Sequence, residues 1–533
     1  MDSPLKIKED YPFPSSYGMA VYHYLKIDAP QRRKSLKKSF RGSSCLSWAT
    51  VGGPRFTFVA IFVFGITLQL LSNYLALGEI FSDSIVNVRK YGAKGNGTDD
   101  DSSSIQAAIN RAARGSTIFF PKGTYVIRST LMVSKDHLMF EGEANKTGLQ
   151  SIIQRAKEMT VSPMFEATKR SFITVQYLIF DGNQTKNKTA LKSMLSFISC
   201  TDIVFTGNEV RNAPGAKPYA AAIAIENSME KQKLLPPMRT TITYNYFHDI
   251  GGHAGPSDAI FTSGNDVFVA NNLIERATDT GIVWEAGSTN PRNPTTKALI
   301  QYNAIKSTGQ GIAADAAKSD SSGTPNTYLQ RAQIIGNVVE SSRASNQAGI
   351  SVYTMVGGAF INVFDIIVAG NTIQHATAGN GIFINGTGNV AVQNNKILDI
   401  SPKNGMAGIV ILHSKNTSIL ENEIRGAGGT GVSIQASKDV LVENNRITNN
   451  SLSKLAGYPG IFIGMDRAEI PCNSVIVRGN QSSGAWQSVG LLLGRYKDDP
   501  TTDVRVEHND FHDNKKQDYL NQASGSITLT DPP

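Results

Sequence analysis

Carboxylates recur at one place in this chain. Where an Ile or Val follows Gly or Ala in a strand-like run, the residue three positions later forms a series: Glu226, Ser263, Glu285, Asp315, Tyr353, Asn385, Leu412 and Gln435. Three acids fall within four successive members. Two carboxyl groups can cleave an acetal if one protonates the leaving oxygen and the other attacks or activates water. The separations required are about 5 Å for retention and roughly 6.5–9.5 Å for inversion. If the members sit on parallel strands stacked about 4.8 Å apart, Glu285 and Asp315 are neighbours, and Glu226 and Glu285 lie about 10 Å apart. Glu285 and Asp315 are therefore the first candidates for acid and for base or nucleophile, followed by Glu226 and Asp258. A second group precedes the same strands: Asp258 and Asp279, with His248, His253, Arg276 and Arg292 close in sequence. Asp279, His248, His253, Arg276, Tyr353 and Asn385 are candidate substrate ligands. The histidines with Arg276 or Arg292 offer an alternative chemistry, in which a base abstracts a proton next to a carboxylate that the arginine neutralises.

The elements that must position these groups are repetitive. An Asn followed two residues later by an aliphatic or aromatic side chain occurs from Asn208 to Asn509, with Asn480 holding the register, at spacings of 23 to 37 residues. Such a period marks a solenoid. The runs between the Asn positions alternate with period two, as in Gly-Ile-Phe-Ile, which is a strand pattern. Coils of parallel strands follow, with the Asn residues stacked as a hydrogen-bonded ladder. In each coil the Ile after Gly and the residue two later point inward, and the residue three later points outward. Trp284 has inward parity and is expected in the core.

Charge and composition narrow the function. The net charge is +8, but residues 1–55 hold ten Lys/Arg and four Asp/Glu, leaving 42 and 40 in the rest. The body carries no basic stripe, which argues against nucleic acid as a partner. The three cysteines, Cys45, Cys200 and Cys472, have neither disulfide-scaffold nor metal-ligand spacing. Residues 56–77 are 22 uncharged, mostly apolar positions, long enough to span a bilayer. Basic residues precede this stretch, and Glu79 and Asp83 follow it. The expected organisation is a cytoplasmic tail over 1–55, an anchor over 56–77, a linker over 78–84 and a repeat domain over 85–530 outside the membrane. Asn96, Asn145, Asn183, Asn187, Asn385, Asn416, Asn449 and Asn480 begin N-x-S/T sequons.

Residues 85–127 carry Asn87-Val88, Tyr91-Gly92-Ala93, Asp99-Asp100, Ile105-Gln106-Ala107-Ala108-Ile109 and Phe120-Pro121-Lys122-Gly123-Thr124-Tyr125. This opening resembles the pectate-lyase-like superfamily in its rhamnogalacturonase/epimerase branch. The resemblance implies an all-β, right-handed parallel β-helix over 85–530. It also implies a polysaccharide substrate, which could contain uronic acids, and a calcium ion only if the chemistry is elimination. The segment around Ile105, Ala108, Ile109 and Ala112 is expected to form an amphipathic helix capping the first coil. Where mannuronan epimerases carry Asp-Pro-His-Asp, this chain reads Gly255-Pro256-Ser257-Asp258. Hydrolysis is favoured over lyase or epimerase chemistry on the paired carboxylates, and a non-catalytic glycan-binding scaffold is the third reading.

Overall fold

The computed structural model describes residues 84–530 apart from 218–219, 231–232, 253, 288–293, 317–326, 344–347, 355–360 and 454–456. The tail, the anchor segment, His253 and Arg292 lie outside the described residues. Among the described residues, no helix is long and apolar enough to cross a membrane.

Three parallel sheets of 16, 15 and 14 strands run the length of the domain, called A, B and C here. Each coil visits them in that order; one coil is Thr295–Gln301 in A, Ala304–Lys306 in B and Gln310–Ala316 in C. The inward parity read from the sequence holds. Ile282, Trp284, Ile312, Ala314, Ile350 and Val352 are fully buried, and the Trp284 Nε1 donates to the Gly264 carbonyl at 3.0 Å. In the early coils Phe180, Phe205 and Phe247 stack through the core with ring centroids 6.2 and 6.3 Å apart.

Helix α1 (Ser102–Arg111) buries Ile105, Ala108 and Ile109 against the first coils, as expected of a cap. Its N-terminal acid works differently from a simple helix cap. Asp101 makes no side-chain bond to the helix; its carboxylate instead accepts the Lys94 and Gly95 amides at 2.6 and 3.0 Å. It thereby fastens the preceding loop.

Two features set the coil shape. From Asn208 to Asn480, each ladder Asn turns its Nδ2 toward the Oδ1 of the next at 2.9–3.2 Å, ending on Asn509. The residue before each ladder Asn is left-handed, whether it is Gly336 (φ 63°), Asn271 (φ 57°), Tyr302 (φ 53°) or Glu421 (φ 54°). At the start of sheet C, a Cβ on Gly381 would lie 2.5 Å from the Gly408 carbonyl oxygen and 2.6 Å from Ile397 Cγ2. The neighbouring coil therefore requires Gly there. Gly381→Ala should destabilise the domain by roughly 1–3 kcal/mol, as overpacking against backbone does. Chemical denaturation of the variant beside the parent checks this.

Candidate active site

Backbone pairing in sheet C reproduces the column read from the sequence. Glu285 pairs with Asp315, Asp315 with Tyr353, Tyr353 with Asn385, Asn385 with Leu412, and Leu412 with Gln435. Glu285 and Asp315 thus stand on adjacent strands, about 4.8 Å apart by sheet geometry. The pair does not lie on an open face. Glu285 is half-buried, and Asp315 is buried at 4% exposure.

Asp258 and Asp279 belong to the same group although they enter the sheet from its other end. Asp258 is the first residue of its strand, one coil before Thr280, and its Oδ1 accepts the Thr280 amide at 2.9 Å. Burial, then the nearby charges of Asp279 and Glu285, push the Asp258 carboxyl well above the ordinary carboxylate range. The crowding of like charges thus favours the protonated form of Asp258. Tyr353 faces the same charges. Burial first, then Asp315, Glu285, Asp258 and Asp279, hold its phenol protonated far into the alkaline range. The phenol is therefore a fixed hydrogen-bond donor in an acidic site.

Glu226 shares the column but stands apart. It pairs back to Ile198, and Ser263 occupies the coil between it and Glu285. It is not among the acids whose charges reach Tyr353. Asn385 continues the column beyond Tyr353, with its Oδ1 3.3 Å from His413 Nδ1. His413 Nε2 is in turn 2.8 Å from Asp466 Oδ2. This His–Asp pair beside the column was not found from the sequence, because 53 residues separate its members.

His248 and Arg276 lie on sheet B in a separate network. His248 Nδ1 is 2.7 Å from Asp249 Oδ2 and its Nε2 is 3.2 Å from Glu209 Oε1. Arg276 donates to both Asp249 oxygens at 2.7 and 3.2 Å and to Glu275 at 3.1 Å. Burial opposes charge on His248, but the two carboxylates prevail and raise its pKa. Asp249 is lowered to about 2, chiefly by Arg276, and Glu209 is lowered chiefly by its hydrogen bond to His248. With both ring nitrogens engaged by carboxylates, His248 is poorly placed to act as a base. The signs give a pH window. The His248 contribution is full below the unfolded value near 6.5 and is lost as pH rises through its raised folded value. The Asp249 and Glu209 contributions are full above about 4 and are lost as pH falls. His248→Gln should therefore lower the melting temperature most near pH 5–6 and least near pH 9. Parallel thermal scans across pH check this.

Among the described residues, no three His, Cys, Asp or Glu side chains are arranged to hold a metal ion. Three of the sequons are closed in the fold. Asn183 and Asn187 donate their Nδ2 groups to the carbonyls of Arg155, Ala156 and Met159, and Asn480 is a ladder member.

Comparison with known proteins agrees with this architecture, that of a right-handed parallel β-helix. Residues 85–293 match the family described as rhamnogalacturonase A/epimerase, pectate lyase-like, and residues 357–531 match the right-handed β-helix region. Over these two segments the chain is similar to the pectate-lyase-like right-handed β-helix proteins. Among solved structures, the tailspike protein of E. coli bacteriophage HK620, in complex with a pentasaccharide, aligns with a TM-score of 0.57 at 12% identity. That alignment covers 86% of this chain and 79% of the tailspike. Gene product 12 of bacteriophage phi29 aligns with a TM-score of 0.54 at 11% identity, over 87% of this chain and 59% of that one. At such identities the likeness is one of fold. Plasmin and fibronectin-binding protein A of Streptococcus pneumoniae is 37% identical over 75 residues, 14% of this chain and 10% of that protein. The curated relatives are matched over only 4–10% of their own length.

Proposed function

We propose that the domain is a polysaccharide-active enzyme that cleaves glycosidic bonds with Glu285 and Asp315, in a chain held at the membrane by residues 56–77 with the β-helix outside. The observation that carries the reading is the pairing of Glu285 with Asp315 on adjacent coils, with the Tyr353 phenol next in line. A strand spacing of about 4.8 Å is compatible with the separation of a retaining pair, about 5 Å. One acts as acid on the leaving oxygen and the other as nucleophile at the anomeric carbon. The carboxylate of Asp279 raises the proton affinity of the group, whose Asp258 member is already pushed toward its protonated form. Tyr353 donates a hydrogen bond to a carboxylate or to a sugar oxygen, and Asn385 offers polar contacts to the next sugar along the strands.

The alternative, a lyase or epimerase acting on a uronan, is supported by the family description over residues 85–293, which names an epimerase and a lyase-like fold. It lacks a suitable base among the described candidates, since both His248 ring nitrogens are engaged by carboxylates and Tyr353 resists ionisation. The full-length protein incubated with neutral and uronic polysaccharides distinguishes the two. New reducing ends without ultraviolet absorbance support hydrolysis; absorbance from unsaturated ends supports elimination.

A further inference from the structure

Sheet B carries a second polar site toward its C-terminal end. Two outward columns run there in register, Glu423–Arg446–Gln481–Asp510 and Arg425–Thr448–Ser483–His512. The columns are two residues apart along each strand, about 7 Å, and successive coils are about 4.8 Å apart. Between them lies a cavity of about 350 Å³ lined by Arg425, Arg446, Thr448, Gln481, Ser483 and His512 together with Asn449 and the carboxylate of Glu423.

The two arginines distinguish this cavity from the rest of the sheet. Arg211 is paired with Asp181 and Glu209, and Arg276 with Asp249 and Glu275. Arg425 and Arg446 are exposed and form no ion pair among the described residues. The acids nearest them are engaged elsewhere. Glu423 is 3.9 Å from Lys396, and Asp510 is bonded to His512 Nδ1 at 2.9 Å. Two guanidinium forks diagonal to each other, above a floor of hydroxyl and amide groups, match planar anionic groups carried on a hydroxyl-rich backbone. No aromatic side chain lines the cavity, so it lacks the stacking platform expected for single-stranded nucleic acid.

We propose that this cavity is a binding site for the carboxylates of an acidic polysaccharide, which Arg425 and Arg446 engage as anions while Thr448, Gln481 and Ser483 meet the hydroxyls. The site lies on a different sheet from the carboxylate group and stands whether or not that group is catalytic. The test is calorimetric titration of the full-length protein carrying Glu285→Gln and Asp315→Asn, which separates binding from turnover. The probes are an oligogalacturonate and a neutral galactan oligosaccharide of the same length. The expected result is at least tenfold tighter binding of the oligogalacturonate, weakening with salt. Arg425→Gln with Arg446→Gln should remove that preference, and Arg446→Lys alone should keep part of it, all at an unchanged melting temperature. Equal affinity for the two probes would overturn the proposal, as would an oligogalacturonate affinity unchanged in the double-arginine variant.

Discussion

Glu285→Gln should lower turnover on the cleaved polysaccharide by about 10³-fold, the scale on which a positioned acid, base or nucleophile acts. Asp315→Asn should do the same. The double variant should be little worse than the worse single one, because groups that act as a unit lose their joint effect once. KM should stay within a few-fold, since neither change removes a large binding surface. Glu226→Gln provides the contrast. It shares the column, but Ser263 intervenes and its charge is not among those reaching Tyr353, so its turnover should stay within a few-fold of the parent. Initial rates across substrate concentration check all four proteins. A Glu226 variant as impaired as the Glu285 variant would make Glu226 and Glu285, two coils apart, the acid–base pair.

Asn337→Ala should destabilise the middle coils by about 3 kcal/mol, the cost of leaving several buried polar groups without partners. Asn337 Oδ1 accepts from the Asn303 amide and its Nδ2 at 3.0 Å each. Its own Nδ2 donates to the Ile300 carbonyl at 2.9 Å and to Asn371 Oδ1 at 3.0 Å. Alanine removes all of these at once inside a fully buried turn. Each coil contacts chiefly its neighbours, so the loss should be local. Amide exchange should rise in the coils from Asn303 to Asn371 before it rises at the ends. Asn389→Ala is the control: its side chain bonds Asp365 and Asn416 at the surface, and its effect should stay at about 1 kcal/mol, the cost of alanine at its left-handed backbone (φ 56°).

The solenoid and its outward column were legible because both depend on local rules. A period-two pattern fixes which residues face out, and the recurring Gly-aliphatic pair fixes which coil positions align. The pairing of Glu285 with Asp315 and of Asp315 with Tyr353 needed nothing more. Composition was less transparent. Left-handed turns ordinarily take Gly or Asn, yet Tyr244, Tyr302 and Glu421 adopt that conformation too, each directly before a ladder Asn. The ladder residues themselves are abundant for their buried hydrogen bonds. Burial was also hidden. The column predicts an exposed Asp315, but it is buried, and strand parity says nothing about what lies above a sheet. The sequence grouped His248 and Arg276 with Asp258 and Asp279 on nearness along the chain. The fold instead turns a corner between them, so the first two face outward from sheet B while the acids start sheet C. The His413–Asp466 pair was invisible because nothing in strand alternation links residues two coils apart through a loop.

The most direct test of the carboxylate pair is the anomeric configuration of the first product. The full-length protein is mixed with the polysaccharide that yields reducing ends, and proton NMR spectra are taken before mutarotation scrambles the signal. A pair on adjacent coils predicts a new reducing end with the configuration of the bond that was cleaved, absent in the Glu285→Gln, Asp315→Asn variant. An unsaturated end, a C5-inverted sugar without cleavage, or an unchanged spectrum from the double variant would contradict it.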